Sequence, residues 1–301
     1  MKVAYVFPGQ GSQYVGMGRD ICQHFPEAKA VFDLADSVLG FSLSHLCFDG
    51  PEDELRQTVN VQPAIVTMSL ACLVVAQDRL YAPSFVAGHS LGEYTALATA
   101  GVLDFANTIR LARERGRFMR EAGQKSPGAM AAVLGMNEDK LGEVCAATGT
   151  RIANINCPGQ LVISGHCDAI AHALDLARSV GARRVLPLAV SGAFHTELMR
   201  PALAGLKHII DGLSFAEPKI PIIANTSAKP IVSAEVLKAE LLEQLCACVQ
   251  WQSSVEYMIS QGVTTFIEIG PGKVLSGLIK HTNPEVEIRN IGEAELVHNQ
   301  I

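Results

Sequence analysis

Four absences narrow the field before any motif is read. The chain has no long hydrophobic run. Its longest mostly apolar stretch, Ala64 to Ala76, is interrupted by Thr67 and Ser69 and falls short of the roughly 20 residues that cross a bilayer. It has no signal-peptide core, since Lys2 is followed only by Val3 to Phe7 before Pro8-Gly9. It has no positive excess: 24 Lys and Arg against 30 Asp and Glu give a formal net charge of −6, which argues against a nucleic-acid binder that relies on whole-chain charge. Finally, its 8 cysteines are scattered, with Cys246-x-Cys248 the only close pair. No zinc-type C-x₂-C set exists, so most of these thiols are expected as small buried hydrophobes. The 49% hydrophobic content of the 301 residues is ample for a core. The expectation is a cytoplasmic globular protein that binds neither membrane nor nucleic acid and needs no cofactor.

Two nucleotide-binding patterns also fail. Gly9-x-Gly11 has Tyr14 where a dinucleotide fingerprint needs Gly. Gly272-Lys273 has Ile267 where a P-loop needs Gly and Val274 where it needs Ser or Thr.

Short β-rich runs alternating with helix-length amphipathic stretches point to α/β units around a mainly parallel sheet. Val3–Phe7 and Ser84–Ala87 read as strands, Gly16–Leu39, Gln62–Gln77 and Leu91–Ala100 as helices, and Asp104 as the N-cap of a helix to Arg120. Gly123 to Gly128 reads as a linker. Beyond it come strand 130–134, a helix capped by Asn137 and ending near Ala147, strands 152–156 and 160–164, helix 168–180 and strand 183–190. This β-α-β-β-α-β order predicts an inserted ferredoxin-like domain at 127–192, between 1–126 and 193–301 of a larger α/β domain. Helices at 202–213, 233–246, 253–261 and 273–281, with strands at 220–224 and 265–269, complete the larger domain.

The strongest local signal is Gly88-His89-Ser90-Leu91-Gly92, between a predicted strand and a predicted helix. In a nucleophile elbow the serine occupies a sharp strand-to-helix turn, and the following helix aims its free N–H groups at developing negative charge. The alternative is an ordinary helix-capping serine. A serine needs a base. His89 is expected to point away from its neighbour. His195 lies in a loop after the insert's last strand, where catalytic groups often sit, although a loop histidine is equally at home as a solvated one. Arg115 falls on the apolar stripe of its helix with Leu111, Phe118 and Met119. A buried guanidinium needs a carboxylate or phosphate, so spacing leaves a structural ion pair and a ligand contact both open.

The chain resembles the malonyl-CoA:acyl-carrier-protein transacylases of type II fatty-acid synthesis and the related polyketide synthase acyltransferases. The resemblance rests on Phe7-Pro8-Gly9-Gln10-Gly11-Ser12-Gln13, Gly88-His89-Ser90-Leu91-Gly92-Glu93-Tyr94, Arg115-Gly116-Arg117-Phe118-Met119 and Asn154-Ile155-Asn156-Cys157-Pro158-Gly159-Gln160. It rests equally on Gly192-Ala193-Phe194-His195, Val249-Gln250-Trp251 and Glu268-Ile269-Gly270-Pro271-Gly272. It implies an α/β-hydrolase-like large domain with a ferredoxin-like insert, and a ping-pong transfer through an ester on Ser90. It further implies His195 as base, the Gln10 and Leu91 backbone N–H groups as oxyanion hole, and Arg115 on the malonyl carboxylate. A backbone carbonyl near Gln250 would orient the histidine. Malonyl-CoA would be a substrate rather than a cofactor, acyl carrier protein the partner, and the chain a monomer. Phe194 is similar to malonyl-selective members. Arg110, Arg113, Arg117, Arg120, Arg183, Arg184, Arg200 and Lys207 are a possible landing patch for an acidic carrier, or else scattered solubilising charge. The alternatives are a trans-acting polyketide acyltransferase, a thioester hydrolase on the same residues, and a non-catalytic carrier-binding module.

Overall fold

The computed structural model describes residues 2–294. Its strands are β1 (Lys2–Phe7), β2 (Phe85–Gly88), β3 (Gly128–Leu134), β4 (Arg151–Cys157), β5 (Gln160–His166), β6 (Arg184–Pro187), β7 (Ile222–Ile223), β8 (Pro230–Ile231), β9 (Val263–Ile269) and β10 (Glu287–Ile291). They form two sheets. The first runs β10-β9-β1-β2-β7-β8 and is parallel except for β8. Val3 to Phe7 are buried on both faces of β1, as a central parallel strand covered by helices requires. The second sheet is antiparallel, β4-β5-β3-β6, with helices Glu138–Thr148 and Cys167–Ser179 packed against it. That is the strand order of a split βαβ unit. The expected fold class, a mainly parallel α/β sheet with a ferredoxin-like insert, is therefore what forms.

The helix Thr58–Ala76 is buried around nearly its whole circumference. With the turn to Arg79 it is long and apolar enough to span a bilayer, but 89% of its apolar window is buried inside the protein. Counting uninterrupted apolar residues hid it, because Thr58, Gln62, Thr67 and Ser69 are buried polar residues within the helix. It packs along helix Phe105–Lys125, and the close approach depends on Gly116, where a Cβ would lie 2.6 Å from the Thr58 carbonyl oxygen.

Several boundaries differ from expectation. The stretch 16–39 is two helices, Arg19–His24 and Pro26–Leu39, because Pro26 has no N–H to continue the first and suits the opening turn of the second. Gly123 does not begin a linker. The helix runs on to Lys125, and Gly123 is packed tightly, since a Cβ there would lie 2.6 Å from the Ser191 carbonyl oxygen. Strand β6 stops at Pro187 instead of reaching Val190. Short helices Leu43–Asp49 and Glu52–Leu55 and strands β8 and β10 have no counterpart among the sequence expectations. Of the cysteines, Cys47, Cys72, Cys145 and Cys157 are buried, Cys22, Cys246 and Cys248 partly so, and Cys167 is exposed.

Candidate active site

The loops at the C-terminal ends of the parallel strands converge on one cavity, as in other open α/β sheets. Gln10 follows β1, Ser90 follows β2 and Asn225 follows β7. The turn after β2 is a true elbow. Ser90 has φ 51°, a left-handed conformation that costs an ordinary residue about 1–3 kcal/mol. The flanking glycines make it possible. A Cβ on Gly88 would lie 1.8 Å from the Gly92 carbonyl carbon, and one on Gly92 would lie 2.0 Å from the Phe7 carbonyl oxygen. Helix Gly92–Thr99 starts immediately after and brings its positive end to the turn.

The structure brings Ser90 and His195 together across 105 residues of sequence. The serine Oγ lies 2.8 Å from His195 Nε2, and His195 Nδ1 lies 2.8 Å from the Gln244 carbonyl oxygen. A carbonyl only accepts, so Nδ1 carries the proton and Nε2 presents its lone pair to the serine hydroxyl. His195 is 5% exposed and is itself left-handed, φ 60°. Burial, and then the charge of Arg115, lower its pKa to about 3, which keeps the imidazole neutral at pH 7.

The orienting carbonyl is that of Gln244, and not one near Gln250. Helix Ala234–Glu243 ends one residue before Gln244, whose carbonyl is therefore free of helical bonding. The Gln250 carbonyl is occupied, accepting from the Ser254 N–H and Ser254 Oγ in the first turn of helix Trp251–Ser260. Between the two, Val249 pairs with β4, its N–H donating to Ala153 and its carbonyl accepting from Ile155. The small sheet thus anchors the segment that aims the histidine.

Arg115 is 1% exposed. Its Nη1 donates to Gln62 Oε1 at 3.0 Å, and its Nη2 to Gln244 Oε1 at 2.9 Å and Ser90 Oγ at 3.1 Å. The guanidinium carbon lies 5.3 Å from the centre of the Tyr94 ring. Its Nε has no hydrogen-bond partner, and no carboxylate pairs with it among the described residues. The structural ion pair left open by spacing is absent there. The nearest acid, Glu93, is reached through Gln244, whose Nε2 donates both to Glu93 and, at 3.0 Å, to the Ser90 carbonyl. Burial, reinforced by Glu240, pushes the Glu93 carboxyl well above the usual range.

A cavity of about 250 Å³ joins these groups. Ser90, His195, Arg115, Gln10 and Leu91 line its polar end, with Phe194, Leu188, Val190 and Val274 among its apolar walls. The backbone N–H groups of Gln10 and Leu91 donate to no described residue and so remain available to an oxyanion. His89 is among the residues lining the cavity, and its side chain is committed to other partners than Ser90, with Nε2 bonded to Asn156 Oδ1 at 2.8 Å and its ring against Trp251. Gln62, Glu93, Asn225 and Gln244 escaped the sequence reading. Only Glu93, immediately after the elbow motif, carried any local hint. Three members of the basic patch are ion-paired, and a fourth is held by neutral acceptors. Arg117 pairs with Glu114 and Glu121, Arg200 with Glu197, Lys207 with Asp211, and Arg113 bonds the Val59 carbonyl and Asn60.

The acyl transferase domain family matches residues 4–299. A malonyl CoA-acyl carrier protein transacylase of Bacillus subtilis is 44% identical over 98% of this chain and 95% of its own length. An acyl carrier protein S-malonyltransferase from Vibrio cholerae superposes with a TM-score of 0.96 at 40% identity, covering 100% of both chains. A malonyl-transacylase solved in complex with a type II polyketide synthase acyl-carrier protein gives a TM-score of 0.96 at 40% identity, over 99% of this chain and 98% of that one.

Proposed function

The chain belongs to the acyl transferase family, and from that premise we propose that it carries malonyl from malonyl-CoA to the phosphopantetheine thiol of acyl carrier protein through an ester on Ser90. The observation that supports this most directly is a single triangle. Ser90 Oγ lies 2.8 Å from His195 Nε2 and 3.1 Å from Arg115 Nη2, which joins an activated nucleophile to a buried cation with spare donors.

In the first half-reaction His195 Nε2 takes the Ser90 proton while Oγ attacks the thioester carbonyl. The Gln244 carbonyl holds the imidazolium that forms, and the Gln10 and Leu91 N–H groups hold the oxyanion. The C–S bond breaks and CoA leaves as the thiol with the proton from His195. In the second half the carrier thiol gives its proton to His195 and its sulfur attacks the malonyl ester. Collapse breaks the ester bond, and His195 returns the proton to Ser90. Among the described residues the histidine is oriented by the Gln244 carbonyl and by no carboxylate, so the pair acts as a dyad completed by a backbone carbonyl.

Arg115 selects the acyl group. A malonyl carboxylate matches its fork and takes over donors now spent on Gln62, Gln244 and Ser90. An acetyl group leaves the buried cation unpaired, at about 3–5 kcal/mol. We further propose two domains, 1–126 with 193–301 and 127–192, a cytoplasmic monomer, and a place in fatty-acid synthesis. A test is the intact mass of the protein after mixing with malonyl-CoA or acetyl-CoA, with and without carrier protein. The expected result is a malonyl adduct on Ser90 that carrier protein discharges as malonyl-carrier, and no adduct on Ser90→Ala. Rapid release of free malonate without transfer would make the chain a hydrolase instead.

A further inference from the structure

The serine-ester reading leaves open what holds Ser90 in a backbone conformation that serine disfavours. Strands β2 and β7 pair in parallel through Val86↔Ile222 and Ala87↔Ile223, and there the ladder ends. The next residues of β7 are committed elsewhere: the Ala224 N–H donates to the Lys229 carbonyl, and the Ala224 carbonyl accepts from Ala228. The elbow therefore lacks a backbone partner on this side, although unpaired peptide groups in a buried turn are costly.

Asn225 fills that gap with its side chain. Its Nδ2 donates to the Gly88 carbonyl at 2.7 Å and its Oδ1 accepts from the Ser90 N–H at 2.6 Å. A carboxamide offers a donor and an acceptor side by side, as a peptide does, without depending on its protonation state. The residue is 2% exposed and clamped at both backbone groups. Its N–H donates to Glu93 Oε1 at 3.2 Å, and its carbonyl accepts from the Gln250 N–H at 2.8 Å. Gln250 thus bears on the site through its amide, by fixing Asn225.

Resting on the serine-ester reading, we propose that Asn225 is the positioning residue of the nucleophile. Its carboxamide stands in for a missing β-ladder rung, holds Ser90 left-handed, and withdraws the Ser90 N–H so that the Leu91 N–H faces the oxyanion. It touches neither the acyl group nor the Arg115 fork, so its loss acts on the chemical step and not on substrate affinity.

The experiment uses the full-length chain with Asn225→Ala and with Asn225→Asp, which keeps the volume and the acceptor but loses the donor to Gly88. Two rates are measured, single-turnover acylation by malonyl-CoA and labelling of Ser90 by a small sulfonyl fluoride, which needs neither CoA nor a carboxylate. Both rates are expected to fall together, about 100-fold in Asn225→Ala and less in Asn225→Asp, with KM for malonyl-CoA within about threefold of the parent. A raised KM at unchanged maximal rate, or labelling at the parental rate, overturns the proposal. So does failure of both variants to fold, which would make Asn225 a general scaffold residue. If the parent's Ser90 accepts the sulfonyl fluoride but never malonyl, the transacylase reading fails and the positioning role stands.

Discussion

Ser90 and His195 meet at 2.8 Å and are two of only three described non-glycine residues with positive φ, yet they are held there by different means. The elbow around Ser90 is a local object, a strand end, two glycines packed against backbone, and a helix start within five residues. The segment around His195 has no such frame. Its strand has ended at Pro187, and its imidazole is fixed by the Gln244 carbonyl, 49 residues further on, in a segment anchored to the small sheet. One reactive residue is shaped first by its neighbours in sequence, with the Asn225 carboxamide added as a remote clamp, and the other by its neighbours in space. The first tolerates almost no change in the chain around it, and the second depends on remote contacts.

Alanine at one glycine of each segment breaks this symmetry most strongly. At Gly92 a Cβ meets the Phe7 carbonyl oxygen at 2.0 Å, backbone that has nowhere to go. At Gly192 the nearest atom is a Phe194 ring carbon at 3.1 Å, which can shift. Gly92→Ala is expected to lower acylation about 10³-fold by displacing both Ser90 and the Leu91 N–H. It should also cost about 3 kcal/mol of stability, a fall in Tm of roughly 5 °C. Gly192→Ala is expected to stay within about threefold of the parent, since a shift of a few tenths of an ångström is absorbed by a side chain. Steady-state transfer and thermal unfolding of the two variants side by side decide it. Equal losses would show that the His195 segment is as rigid as the elbow.

The same division explains what was legible in the sequence. Ser90 stood out because the elbow's steric demands fall within five consecutive residues and only glycine meets them. Nothing in the spacing around His195 set it apart from a solvated loop histidine, and the resemblance supplied its role. Arg115 was visible as a charge on an apolar stripe, but its partners were not, because Gln62 and Gln244 lie 53 and 129 residues away. Asn225 acts across 135 residues. The orienting carbonyl was placed near Gln250 because main-chain groups leave no mark on residue identity. Its true position follows from where a helix ends, and helix ends were the least accurate part of the reading. The short strands β8 and β10 were missed for a related reason: Glu287 and Arg289 give β10 a polar face that resembles a loop until β9 is placed beside it.

Arg115 touches both halves of the comparison, donating to the elbow's Oγ and acting through its charge on the imidazole. Arg115→Gln removes the charge while keeping hydrogen-bonding capacity. It should lower kcat/KM for malonyl-CoA by about 3 kcal/mol, roughly 10²-fold, and change acetyl-CoA turnover far less, since acetyl never used the guanidinium. Competition between the two thioesters, read by adduct mass, measures the shift. Undiminished preference for malonyl would mean that another group holds the carboxylate.

The smallest expected effect is the most specific to the His195 side. The base must be neutral to accept the serine proton, and in the free protein burial and the Arg115 charge hold its pKa at about 3. The acid limb of kcat/KM reports the free enzyme, so that profile is expected to be flat from pH 8 down to about 5, with no fall near the ordinary histidine value of about 6.5. A bound malonyl carboxylate offsets the Arg115 charge. This weakens one of the two forces holding the pKa down, so the acid limb of kcat, which reports the bound enzyme, should lie at higher pH than that of kcat/KM. In Arg115→Gln the charge is gone from both states, and the two limbs should draw together, with the limb of kcat/KM moving up and never down. Single-turnover acylation at limiting and at saturating malonyl-CoA across this range gives both profiles. A limb near 6.5 in the parent's kcat/KM would mean that the imidazole is hydrated in solution and that the remote contacts hold it less closely than the elbow holds Ser90.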